Sequence, residues 1–292
     1  VEGTASLGGN LVPQLYNNQI VSNLIENSIV RQAGAYQFPI QGTNTLNVTT
    51  MTRSSAATLV SESASVATSE PTFGTVAFTA YAYKARYKAS REVLADSRFD
   101  MGGVLTQNFG WQFTQAENSA FATGTGSSQP QGIAYAATAA VSAGSTLALA
   151  TANGDYIIDL YHSLPYMYRS NAVWFANDQV IKAIRKIKDL SGGAASTGNY
   201  LWQSGLQAGQ PDLLMGRPIY PLNSMASSGS TSNVLVFADP RFFWVGDFGL
   251  GGTEIQQLNE LYADTWEIGW TAWRRFDSHL VVSEAAKGLL LR

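Results

Sequence analysis

A chain of 292 residues with 45% hydrophobic side chains can bury a sizeable core and holds about two domains at roughly 150 residues each. Charged residues make up 13%, about half the usual roughly 25%. The net charge is −3 and no basic cluster is denser than Lys182, Arg185, Lys186 and Lys188, which excludes a chain built to neutralise phosphates tightly. Cysteine is absent, so a disulfide framework and a thiolate metal site are excluded as well. Few charges beside 11% aromatics suit a subunit covered by its neighbours, since interface cores lose charge and gain aromatic rings; an extracellular or weakly charged globular protein is the competing reading.

Residues 1–35 read as an extended arm and then a short helix carrying Ile20, Leu24, Ile25 and Ile29. Leu46, Val48 and Thr50, then Val76, Phe78, Ala80 and Ala82, alternate with period two and predict two strands. Between them, residues 54–69 hold twelve Ser, Ala or Thr in sixteen positions: flexible linker by composition, the tip of a long hairpin if the flanking strands pair. Leu105, Phe109, Phe113, Ala116 and Ala120 recur at three- and four-residue steps and predict a helix whose single charge is Glu117. Such a helix expects protein on more than one side. Gly124 is expected to end it in a left-handed conformation, and Pro130 cannot continue it, so Gly124, Gly126 and Gly132 mark the helix end and a hinge.

Short strands and turns are expected over 133–155, and a helix from Asp155 to Tyr168 bearing Tyr156, Ile157, Leu160, Tyr161 and Leu164. The strand Ala172 to Ala176 follows, then a helix from Asn177 to Leu190 with Val180, Ile181, Ile184 and Ile187 on one face; its basic residues suit a helix C-terminus. Ser191 to Gly198 reads as a loop, and Val234 to Phe237 and Thr265 to Ile268 as strands. The mixture lacks regular strand–helix alternation, which makes the fold α+β, and contains no internal repeat. The uncharged run 118–154 is broken by Gly, Ser, Thr, Gln, Asn and Pro and is not a membrane span.

Chemistry-bearing patterns are sparse. His162 and His279 lack a second His or Cys at ligand spacing, so no metal site is expected. His279 beside Asp277 imitates a base and its orienter without a Gly-x-Ser-x-Gly elbow, and Gly124-Thr125-Gly126 lacks the third glycine and following helix of a dinucleotide site; no catalytic or cofactor-binding residue is assigned. Trp266, Trp270, Trp273 and Tyr262 could stack on sugar, but core or interface suits their spacing better.

The order of several segments resembles the tailed-bacteriophage major capsid proteins with the Hong Kong 97 shell fold. In that family a spine helix ends in Gly-x-Gly and runs on to Gln-Pro-x-Gly-Ile, as Gly124-Thr125-Gly126 and Gln129-Pro130-Gln131-Gly132-Ile133 do here. Leu11-Val12-Pro13, Lys84-Ala85, Ser90 to Ser97, Ile184 to Asp189 before a Gly-rich loop closing on Tyr200, Leu213 to Pro218, Gly246-Asp247-Phe248 and Arg275-Phe276-Asp277 follow in the family's order. The resemblance implies an N-terminal arm (1–41) and an E-loop hairpin (42–83) lying over the adjacent subunit. It further implies a peripheral lobe (84–155 and 257–283) and an axial lobe (156–256 and 284–292).

It implies a subunit that assembles with itself into pentamers and hexamers, forming an icosahedral virion shell around double-stranded DNA without sequence-specific binding. Assembly in the host cytoplasm would involve a portal, a scaffold or maturation protease and in some members a decoration protein, with no membrane and no cofactor. A chain opening Val1-Glu2-Gly3 fits a form trimmed by such a protease, although an arbitrary start of the sequence would read the same. Some members join an E-loop lysine to a neighbour's asparagine; no lysine precedes Lys84, so this hairpin cannot supply the amine. Interface candidates are Arg53, Glu62 and Glu70 on the hairpin, Arg274 and Arg275 as partners for those carboxylates, and Gly192, Gly193 and Tyr200 in the Gly-rich loop. The carboxylates serving only to keep the arm soluble, an encapsulin-type compartment shell and a Ser/Thr-rich carbohydrate-binding module are the rival readings.

Overall fold

The computed structural model describes residues 27–53, 56–66, 68–97, 101–143, 154–187, 213–228, 232–249 and 252–291. The expected arm up to residue 26 and the Gly-rich loop with Gly192, Gly193 and Tyr200 lie outside the described residues. Among these, helices and strands mix without regular alternation, as the α+β reading requires.

Two strands, β2 (Thr45–Thr52) and β3 (Thr72–Thr79), pair antiparallel over eight residues each and make a sheet of their own. The hairpin forms because Leu46, Val48, Val76 and Phe78 share one face, with Leu46 opposite Phe78 and Val48 opposite Val76. It ends at Thr79 rather than running through Ala80 and Ala82. Ala80 breaks the strand, and β4 (Tyr81–Ser90) joins another sheet.

That sheet has five strands: β1 (Tyr36–Ile40), β10 (Phe243–Phe248), β12 (Glu267–Leu280), β11 (Glu254–Leu258) and β4. The fourteen residues of β12 organise it, pairing β4 over 267–276 and, as ladders of partner strands, β11 near its start and β10 near its end. Of the strand expected over Thr265 to Ile268 only Glu267 and Ile268 belong to β12, because Thr265 closes a short 3-10 turn and Trp266 is left-handed at φ 55°. Beyond them Arg274, Arg275, Asp277 and His279 interrupt the apolar alternation, because both edges and parts of both faces of β12 are covered by protein.

After the short α2 (Arg91–Asp96) and before the four-residue α4 (Ile133–Ala136), the helix α3 (Met101–Thr123) packs Phe109 and Phe113 against Tyr83, Ala85, Tyr87, Ala272 and Trp270 of this sheet. Its last turns carry Ala120, Phe121 and Ala122 into the central core beside Val173, Phe175, Val236, Phe243 and Phe276. Here the six-stranded sheet begins, with the order β5 (Thr138–Ala143), β13 (Ala286–Leu291), β9 (Asn233–Ala238), β6 (Val173–Ala176), β8 (Arg217–Pro221), β7 (Leu213–Leu214). Every residue of β6 and β9 is buried, as expected for strands covered on both faces. Val173, Phe175 and Val236 face the central core, while Trp174, Leu235 and Phe237 face a second core made with α5 (Asp155–Ser163) and α7 (Asp178–Arg185).

The single helix expected from Asp155 to Tyr168 is two, α5 and α6 (Tyr166–Arg169), because Pro165 and its preceding residue cannot continue a helix. Arg169 closes the break by donating to the carbonyls of Leu164 at 2.7 Å and His162 at 2.8 Å. The helix α7 starts where Asn177 accepts from the Gln179 amide at 2.9 Å and stops at Arg185, short of the expected Leu190. Sheet membership crosses the lobe boundaries read from sequence: β5, within 84–155, pairs in the six-stranded sheet, and β10 and part of β11, within 156–256, pair in the five-stranded one.

Candidate assembly surfaces and the junction that positions them

After α3 the backbone doubles back on itself. The Gly124 amide donates to Ala120 O at 3.0 Å, the Gly132 amide to Gly124 O at 2.8 Å, and the Gly126 amide to Pro130 O at 3.3 Å. Gly124 is not left-handed, contrary to expectation; only Gly126 of the three has positive φ, at 74°. Gly124 is required instead by closeness, since a Cβ there would lie 2.1 Å from the Pro130 carbonyl oxygen, and one on Gly132 would lie 2.5 Å from the Gly124 nitrogen. Gln131 fastens this turn to β12: its amide donates to Ser278 O at 2.9 Å, its carbonyl accepts from Ser278 Oγ at 2.8 Å, and its Oε1 accepts from the Leu280 amide at 3.1 Å.

The only charge on α3 anchors four elements. Glu117, 1% exposed, meets Arg31 Nε at 3.2 Å and Arg274 Nη1 at 2.8 Å. Asp247 takes Arg31 in a two-pronged pair with both contacts at 2.7 Å, and Arg274 Nη2 at 3.3 Å. Two cations and two anions thus join α1 (Ile29–Gln32), α3, β10 and β12. Burial pulls the Arg31 pKa down, but the bond to Asp247 and the charges of Glu117 and Asp247 outweigh it and leave it raised. Asn118 completes the tie, accepting from the Ile29 amide and donating to Asn27 O, each at 3.1 Å. Within the subunit Arg274 is thus already paired with Glu117 and Asp247.

Strand alternation separates it from Arg275. Arg275 stands opposite Ala82 on the face of the sheet away from α3, in the same row as the exposed Lys84 and Arg86 of β4, and has no ion-pair partner among the described residues. Lys88 ends this row, 3.0 Å from Glu267. Trp270 and Trp273 fall on opposite faces of β12, and Trp266 sits beyond its start, 70% exposed under Arg91. The three tryptophans form no common platform for a sugar.

The hairpin meets this body at its root. Gly246 lacks the Cβ that would lie 2.7 Å from Ile40 and 3.5 Å from Phe78, and Phe78 fills the space against Ile40 and Phe248, fully buried. Next to it the Thr79 amide donates to Asp277 Oδ2 at 2.7 Å, while Asp277 Oδ1 accepts from the Ser278 amide at 2.8 Å and His279 Nε2 lies 3.2 Å from Oδ2. Asp277 and His279 imitate a base and orienter in sequence, but here Asp277 holds backbone amides while His279 contacts the Asp277 carboxylate and the Phe78 ring. Burial, and after it the Asp277 charge, raise the Tyr81 and Tyr83 hydroxyl pKa values.

Away from the root the hairpin exposes Met51 and Phe73, a cross-strand pair, together with Leu59 and Val66. Arg53, Glu62 and Glu70 are also exposed and have no partner among the described residues. Asn118, the bonding role of the Gln131 side chain and the positioning role of Asp277 escaped the sequence reading. Glu117 and the Gly246-Asp247-Phe248 triplet were signalled, the former by its isolation in a charge-free helix.

The phage capsid family model matches residues 8–290. Among solved structures, the capsid of a native GTA particle aligns at 24% identity with a TM-score of 0.82, over 98% of this chain and 97% of that one. The empty GTA particle's capsid gives 23% and 0.81, over 100% and 98%. A solved structure from Mycobacterium phage Bobi gives 17% and 0.70, over 99% and 98%. No curated protein matches the chain in sequence. With spine helix, root-anchored hairpin and two sheets in the order of the Hong Kong 97 shell fold, and with that match along nearly its whole length, the chain belongs to the phage capsid family.

Proposed function

We propose that this chain is a major capsid protein that assembles through pentamers and hexamers into an icosahedral shell around double-stranded DNA. The observation that carries the reading is the hairpin of β2 and β3, a separate two-stranded sheet joined to the body at its root, with Met51, Leu59, Val66 and Phe73 exposed. A two-stranded hairpin is marginal alone, so apolar side chains left uncovered along it are supported by a surface from outside the subunit. A second copy supplies that surface in a closed assembly.

In this reading residues 1–41 are an arm and 42–83 the E-loop. Residues 84–155 and 257–283 form the peripheral lobe and 156–256 and 284–292 the axial one, with β5, β10 and β11 as strands that each lobe's segment lends to the other's sheet. Arg53, Glu62 and Glu70 meet the neighbour, where Arg275 with Lys84 and Arg86 offers the basic partner. Gly192, Gly193 and Tyr200 are further candidates for the contact between subunits. A portal, a scaffold or maturation protease and a decoration protein act on the shell during assembly in the host cytoplasm, and the DNA is enclosed without sequence-specific contacts.

Deleting residues 56–67 is the test. Electron microscopy is expected to show closed shells from the intact chain and a folded, soluble subunit without shells from the deletion; normal particles from the deletion would overturn the reading. DNA-filled particles with one portal vertex separate a virion from a small closed compartment shell.

A further inference from the structure

We infer that Asp277 is the positioning residue on which the hairpin pivots during assembly. The inference rests on the reading of the hairpin as the arm that reaches a neighbour. The ladder between β4 and β12 ends at Tyr81 opposite Phe276. One position further along β12, a side chain replaces the main chain as acceptor: Asp277 Oδ2 takes the Thr79 amide at 2.7 Å. Ala80, between them, turns its amide to Asn44 O at 3.0 Å, so it belongs to the hairpin's base. A run of ladder bonds would fix both the place and the direction of a departing strand; here one bond to a carboxylate fixes the place, and direction is left to the non-directional apolar packing of Leu46, Val48, Val76 and Phe78 against Ile40 and Phe248.

Phe78 completes the pivot. Its ring meets Phe38 edge-on at 5.3 Å and His279 edge-on at 5.0 Å, in the gap left by Gly246 directly opposite Asp277. Asp277 is itself fully buried, and its other bonds, to the Ser278 amide and His279, come from its own strand. The carboxylate is thus held by β12, and its Oδ2, which His279 also touches, takes the one amide that the hairpin offers it.

Leverage makes this matter. Thr72 to Thr79 spans about 24 Å, so a swing of about 10° at Thr79 carries the far end by about 4 Å, more than a polar contact tolerates. One subunit must meet neighbours at different angles in five-fold and six-fold rings, and a point pivot absorbs the difference without disturbing either sheet.

Asp277→Asn keeps the side chain's size and removes its charge; Thr79→Pro removes the donor and leaves the carboxylate. In dissociated subunits of the Asn variant, hydrogen exchange of the Thr79 amide should rise about tenfold or more, with the Tyr81–Ser90 amides unchanged. Both variants should give particles of broadened diameter, and Asp277→Glu, which keeps the charge on a longer stem, should recover part of the uniformity. Wild-type diameters with unchanged Thr79 exchange would overturn the inference, even where deletion of 56–67 still abolishes shells and the E-loop reading stands. Should the Asn variant not fold, wild-type particles decide. Hairpins in five-fold and six-fold rings are expected to differ by rotation about residues 79–81 with the Thr79–Asp277 bond kept in every copy; bending within β2 and β3, or loss of that bond in either ring, overturns it.

Discussion

The two ends of β12 carry ion pairs of opposite kind. Toward its C-terminal end, Arg274 joins Glu117, Arg31 and Asp247 in a network whose central carboxylate is 2% exposed along its side chain. At its N-terminal end, Glu267 meets Lys88 at a comparable distance of 3.0 Å, but the lysine is 59% exposed. Geometry does not separate these pairs; solvent does. Water screens the outer pair and leaves its side chains free to move, whereas at the inner end losing one partner strands desolvated charges of like sign. The inner end is also where α1, α3, β10 and the Gly124–Ile133 turn meet β12, so one strand serves as keel at one end and as surface at the other.

Substitutions along β12 and its contacts should rank accordingly. The largest effect is expected for Glu117→Ala, which leaves Arg31 and Arg274 facing each other with Asp247 as sole counter-charge. A loss of about 3–5 kcal/mol in subunit stability, read from denaturant melting, is expected. A loss below about 1 kcal/mol would mean that the network is solvated and the contrast between the two ends false. Next comes Gly124→Ala, which forces a methyl against the Pro130 and Ala120 carbonyls and pushes the turn off Ser278. About 1–3 kcal/mol is expected, with faster exchange of the Gln131 amide as the local sign.

The smallest effect belongs to Glu267→Gln, whose melting at neutral pH should match wild type. The hydrogen bond from Lys88 is the main reason that the Glu267 carboxyl is held below its ordinary range, so whatever it contributes is present above the unfolded pKa and fades as pH falls through the folded one. Acid titration of the variant against wild type should therefore converge at low pH, and a difference that grew on acidification would contradict this.

Local pattern carried much of the fold. The helical stripe of Phe109, Phe113 and Ala120 placed the spine helix, and the period-two runs around Val48 and Val76 placed both strands of the hairpin. The proline at 165, read in sequence as part of one helix, shows where pattern misled: apolar spacing continues across it, but a missing amide and a ring against the previous turn do not permit the helix to. Gly124 was identified with the wrong reason, since sequence shows a glycine at a helix end and cannot show a carbonyl from six residues later pressing on its α-carbon.

Long-range partners are where reading stopped. Arg274 and Arg275 look equivalent in sequence, and alternation alone says that they part; which of them faces water depends on α3 lying on one face of the sheet and not the other. Asp277 is similar, because its acceptor role exists only where β3 leaves and β4 begins, 198 residues away in the chain.

What the sequence by itself determined is therefore local: periodicities of helix and strand, breaks at Pro and Gly, the scarcity of charge, and an order of segments that identifies the shell fold. Each follows from forces acting within a few residues or from composition. Tertiary structure alone decided which charges are buried together, which sheet receives β5 and β10, and how the hairpin is tethered, because these depend on desolvation and close approach between segments that only folding brings together.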